Sequence, residues 1–99
     1  MIVVSKQIRN AAKGERCTLR LQGCNFNPET TTGAHVPCGQ KGVGMKSPDT
    51  MIIFACSECA RRTDLEPYTI LAKDWLRALA ETHLILIEKG LLIVKGMKQ

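Results

Sequence analysis

Five cysteines and two histidines are the side chains of this 99-residue chain with the most specific chemistry. Cys56-Ser57-Glu58-Cys59 is a C-x2-C pair, the spacing at which a tight turn lets two thiolates reach one tetrahedral ion at about 2.3 Å each. The cysteine count is odd, and the start Met-Ile-Val-Val-Ser-Lys lacks the charged-then-apolar layout of a signal peptide. Both features favour reduced thiols and metal ligation over a disulfide framework. A zinc site needs two more ligands, and two sets compete. Cys17 and Cys24 flank a short alternating segment with a glycine turn at Gly23, which would fold back as a loose knuckle and complete a four-thiolate site with Cys56 and Cys59. This set ranks first. In the second, His35-x2-Cys38 forms the other knuckle with Cys56 and Cys59. A redox pair would require the longer strand and helix alternation of thioredoxin-like proteins, and a third reading makes the cysteines small buried hydrophobes.

The elements that would position these groups follow from pattern. Ser5 caps a short helix over Lys6 to Gly14, and Gly14 ends it. Glu15 to Cys24 reads as a short strand or hairpin, Asn25 to Thr32 as turns, and Gly39 to Pro48 as a basic glycine-rich loop. Met51-Ile52-Ile53-Phe54-Ala55 is a continuous apolar run, short enough for a strand buried on both faces. Thr63-x-x-Glu66 has capping-box spacing, with Pro67 in the first turn of a long helix over about residues 64–89. Tyr68, Leu71, Ala72, Trp75, Leu79, Thr82 and Leu86 recur along it at helical steps. Gly90 stops the helix, and 91–94 reads as a closing strand. A single α+β domain over 1–99 results, with a core over about 15–65.

Charge narrows the partners. Fourteen Lys and Arg against nine Asp and Glu leave a formal charge of +5, which favours a polyanion, with DNA the first candidate. Lys41 and Lys46 in the glycine-rich loop, and Arg61 and Arg62 after the C-x2-C pair, are the candidate phosphate contacts; solvated surface charge is the competing reading. No apolar run approaches the roughly 18 residues of a membrane span, so a soluble cytoplasmic protein without membrane partners is expected. The apolar helix could finish its burial within the monomer or in a homodimer. On pattern alone, His35 between Ala34 and Val36 reads as a packed core residue, and His83 as packed or half exposed.

Taken together, Cys17 through Cys59, with Gly23-Cys24-Asn25, Asn27-Pro28-Glu29-Thr30-Thr31, Ala34-His35, Lys46, Pro48-Asp49 and Ala55-Cys56-Ser57-x-Cys59, resembles the phage and prophage YbcO family of zinc-stapled His-Me finger, or HNH, nucleases. The resemblance covers about half the chain. It implies a small zinc-stapled ββα-metal domain with a long C-terminal helix, encoded by a phage or prophage and acting in a bacterial cytoplasm. It further implies a DNA endonuclease with His35 as general base and Asp49 as its orienting partner or a weaker metal ligand. Zn2+ at Cys17, Cys24, Cys56 and Cys59 would be structural, and Mg2+ or Mn2+ would serve catalysis. The chain departs from the family at Ala60, where a histidine that binds the catalytic metal is usual, and Asp64 is the candidate replacement. The alternative is a zinc-stapled nucleic-acid-binding module that has lost cleavage.

Overall fold

The structure is a computed structural model that describes residues 3–37 and 47–97. Cys38, Lys41 and Lys46 lie outside the described residues. The elements are α1 (Lys6–Asn10), β1 (Thr32–His35), β2 (Ile52–Ala55), α2 (Ser57–Leu65) and α3 (Tyr68–Glu88), with 3-10 turns at Pro28–Thr30 and Asp49–Met51. This is a small α+β architecture with a two-stranded sheet and a long C-terminal helix.

β1 and β2 pair antiparallel, Thr32 with Ala55 through His35 with Ile52. All four residues of β2 are buried, as a continuous apolar run requires. Ile52 and Phe54 pack with Ile8, Ala12, Ile85 and Leu86, whereas Ile53 and Ala55 pack with Leu19, Leu21, Trp75 and Ala78. Alternation along one strand thus separates two apolar clusters, and α3 contributes to both. α1 lies against β1 at Gly33, where an added Cβ would stand 3.1 Å from Ile52 Cγ2 and 3.6 Å from the Arg9 carbonyl oxygen. The Arg9 distance is ordinary contact, whereas the Ile52 methyl would have to shift by a few tenths of an ångström to admit a side chain at Gly33.

The segment expected as a strand or hairpin between Glu15 and Cys24 is irregular. Thr18 alone joins the sheet: its N–H donates to the Phe54 carbonyl at 2.7 Å, and its hydroxyl donates to the same oxygen at 3.0 Å while accepting from the Phe54 N–H at 3.1 Å. With that proton committed, the buried Thr82 hydroxyl, 3.0 Å away, is the donor to Thr18. Beyond Thr18 the chain turns through Arg20 at φ +46° and Gly23 at φ +90°, and the Arg20 and Leu21 N–H groups donate to cysteine sulfurs instead of to a ladder.

The long helix begins later than expected. Thr63 caps nothing: its hydroxyl donates back to the Ala60 carbonyl at 2.7 Å within α2. Glu66 is extended before Pro67, so α2 ends at Leu65 and α3 starts afresh at Tyr68. No closing strand forms over 91–94. Gly90, at φ +73°, donates to Ile87, and Leu91 donates to Leu86, which is a Schellman cap on α3. Leu91 and Leu92 fold back half-buried onto the Ile8 and Leu86 cluster.

Candidate metal centre and histidine site

The irregular knuckle at 17–24 and the start of α2 bring four sulfurs together. Cys17, Cys24, Cys56 and Cys59 have Sγ atoms that all lie within 4.8 Å of one another. The Cys24 and Cys56 sulfurs are 3.6 Å apart, far beyond a disulfide bond and close to the roughly 3.8 Å edge of a tetrahedron with 2.3 Å metal–sulfur bonds. Backbone N–H groups point at the sulfurs: Arg20 at Cys17, Leu21 at Cys59 and Cys59 at Cys56, each at 3.4 Å. Cys56 is also the N-cap of α2. Burial pushes the Cys59 and Cys24 thiols up. Cys56 feels the same burial, but the Cys59 and Asn25 N–H groups and the neighbouring thiols outweigh it and bring it down to about 7. Four ionised sulfurs at this spacing repel one another unless a cation sits among them, and the all-sulfur set suits a structural zinc ion. His35 does not belong to this cluster, and the four cysteines are the ligand set gathered among the described residues; Cys38 of the competing set lies outside them.

His35 ends β1 and turns toward the 3-10 turn before β2. Its Nε2 stands 2.8 Å from Asp49 Oδ1, with side-chain exposures of 21% and 7%. Asp49 Oδ2 accepts the Ser5 N–H at 2.7 Å and faces Arg9 Nε at 3.2 Å. Burial alone would raise the Asp49 carboxyl. The Ser5 N–H, His35 and Arg9 more than reverse that and hold it below the usual carboxylate range. An ionised carboxylate only accepts, so Nε2 carries a proton, and in the neutral imidazole Nδ1 is the nitrogen with a lone pair, for which no described residue supplies a donor. The contact therefore selects the tautomer of the neutral ring.

Other candidates are placed differently. Asp64 is exposed in the last turn of α2, and no described hydrogen bond or ion pair joins it to His35 or Asp49. Arg61 pairs with Glu58 at 2.9 Å, while Arg62 holds the Gln22 carbonyl at 2.9 Å and Glu66 at 2.7 Å, tying α2 to the knuckle. His83 is half-buried, and its Nε2 donates to the Thr50 carbonyl at 2.6 Å, fastening the Asp49 turn to α3. Sequence reasoning missed Ser5 and Arg9, both more than 35 residues from the carboxylate they contact. Their one sequence signal is that the first fourteen residues hold three cations and no acid.

Comparison with known proteins places this arrangement among relatives. The family model described as "Putative nuclease YbcO" matches residues 6–84. "Putative nuclease YbcO" of Escherichia coli strain K12 is 36% identical over 91 residues, which is 86% of this chain and 95% of that protein. "Putative nuclease ybcO" of Enterobacteria phage 82 matches with the same identity and coverage. A solved structure, "Structure of a putative bacteriophage protein from Escherichia coli str. K-12 substr. MG1655", superposes with a TM-score of 0.63 at 32% identity, covering 85% of this chain and all of the other.

Proposed function

The chain belongs to the YbcO nuclease family, and from that premise we propose that it is a DNA endonuclease of the His-Me finger type, with β1, β2 and α2 as the finger. The observation that carries this reading is the His35–Asp49 pair at 2.8 Å, a buried carboxylate beside a partly buried imidazole. In the reaction, His35 Nδ1 takes a proton from a water whose oxygen forms a bond to phosphorus. The ester P–O bond breaks, and the departing oxygen takes a proton from solvent. Asp49 fixes the ring and stabilises the imidazolium without itself becoming protonated.

Zinc held by Cys17, Cys24, Cys56 and Cys59 would have four protein ligands, and its contribution would be to lock the knuckle to α2. Among the described residues, the four cysteines are the one group of three or more potential ligands close enough to share an ion. Both Asp49 oxygens are engaged, Ala60 stands where the family has a histidine, and Asp64 is unconnected to the pair. The test is nicking of supercoiled plasmid by desalted protein with Mg2+, with Mn2+ and with neither, in the parent and in His35→Ala. Cleavage lost with His35 supports the enzyme. A parent that binds DNA but never nicks it, whatever the ion, identifies a binding module instead.

A further inference from the structure

The cations of this protein are unevenly neutralised. Arg16 and Arg20 pair with Glu81, Arg61 with Glu58, Arg62 with Glu66, Arg77 with Asp74 and Glu81, and Lys89 with Glu15. Among the described residues, Lys6, Lys13, Lys73 and Lys95 have no ion pair. Two of these four flank Arg9 in the acid-free stretch that contains α1. Ile8 and Ala12 anchor the inner side of this stretch, leaving Lys6, Arg9 and Lys13 exposed. Lys6 and Arg9, three residues apart, are neighbours on the helix surface. Arg9 spends only Nε on Asp49. Its side chain is 49% exposed, and neither Nη1 nor Nη2 has a hydrogen bond among the described residues. One carboxylate thus holds both the proton-accepting imidazole and a guanidinium whose outer fork faces solvent.

We propose that α1 and the turn that follows it form the DNA-backbone-binding element: Lys6 and Lys13 neutralise flanking phosphates, and the Arg9 fork takes the phosphate beside His35. This rests on the nuclease reading for the chemistry but not for the binding. A planar fork suits two phosphate oxygens at once. It also supplies positive charge at a place where the described residues bring no group of three potential ion ligands together. The Asp49 contact keeps the fork from swinging away, so the cation is oriented before substrate arrives. Arg61 and Arg62, by contrast, are already committed to acids or to the backbone.

The experiment measures binding of a fluorescein-labelled DNA duplex by anisotropy across a salt series, beside plasmid nicking over a pH range. It uses the parent, the double variant Lys6→Gln/Lys13→Gln, Arg9→Gln, and Lys73→Gln as a control that removes one lysine elsewhere, each checked for a parent-like melting curve. The double variant should weaken binding on the order of tenfold at 0.1 M salt and flatten the log–log salt slope by about 1.8, that is, about 0.9 for each lost phosphate contact. Lys73→Gln should match the parent. Arg9→Gln should flatten the slope by about 0.9 and lower turnover on the order of 100-fold without moving the midpoint of the pH profile. A double variant indistinguishable from Lys73→Gln, or a parent that does not bind DNA at low salt, overturns the proposal. An Arg9→Gln protein with an unchanged slope and a shifted pH midpoint would confine Arg9 to holding Asp49. A parent that binds through α1 yet nicks nothing would sink the nuclease reading while leaving α1 as the DNA contact.

Discussion

Replacing Asp49 with asparagine keeps the shape of the side chain and removes its charge, so it isolates what the carboxylate contributes. Asparagine cannot hold His35 in the required tautomer as a carboxylate does, and nicking should fall by about 10²–10⁴-fold. Stability should fall too, by about 1–3 kcal/mol at pH 7, because the Ser5 N–H and Arg9 lose a charged acceptor in a buried place. The sign of the pH dependence follows from the depressed carboxyl. As pH falls, the unfolded chain takes up the proton first. The stabilisation is therefore complete above about pH 4, the ordinary carboxylate value, and disappears as pH drops through the lower folded-state value. Urea unfolding of parent and Asp49→Asn at pH 7 and pH 3 should show a gap that closes at the acid end. A gap of equal size at both values would mean that Asp49 is not ionised in the folded protein.

At the scale of elements, the sequence speaks clearly where one local pattern decides the outcome. Ser5 caps α1 through its hydroxyl, at 3.2 Å from the Ile8 N–H, and the apolar run at 52–55 is a strand buried on both faces. It misleads where a local pattern meets a tertiary partner. The Thr63 and Glu66 spacing fits a capping box, yet the hydroxyl finds the Ala60 carbonyl, and Pro67 breaks the chain into two helices. The alternation after Cys17 fits a strand, yet the N–H groups of Arg20 and Leu21 go to sulfur. The four cysteines are legible because C-x2-C spacing is short-range chemistry. Arg9 is not, because its partner lies forty residues away and nothing in its spacing announces it.

Two elements also fix the site from outside it. Gly33→Val would drive a branched side chain into Ile52 and the α1 backbone, costing about 1–3 kcal/mol. It should lower the melting temperature by several degrees and weaken nicking, since α1 carries both Ser5 and Arg9. On the far side, Arg77 of α3 donates to the Thr18 carbonyl at 2.9 Å and to the Leu19 carbonyl. Arg77→Met should cost about 1–3 kcal/mol by leaving these acceptors without their charged partner. Its His35 chemistry should stay intact, so a loss of nicking larger than the loss of folded protein would contradict the separation of the two sites.

For the molecule as a whole, the decisive question is whether the apolar clusters suffice without a metal. β2 divides a small core in two, and the cluster on the Ile53 face includes Cys17, Cys56 and Cys59 among its buried members. Four thiols that would otherwise repel or remain protonated are thus embedded in the packing that holds α2 and α3 to the sheet. An ion that binds this arrangement and not the unfolded chain adds its binding free energy to folding, about 1.4 kcal/mol for every tenfold excess of free zinc over its dissociation constant. The unfolding midpoint should therefore climb with buffered free zinc. The purified protein should hold one equivalent, and acid should release it as the sulfurs take up protons. Cys59→Ser, which places a hydroxyl at a fully buried sulfur position of the C-x2-C pair, should abolish the zinc dependence along with most of the stability. Asp49→Asn should leave the zinc dependence unchanged, because its carboxylate belongs to the other face of the sheet's end and touches no sulfur. A midpoint that ignores free zinc in the parent would mean that packing alone gathers the four sulfurs, and the staple would have to be withdrawn.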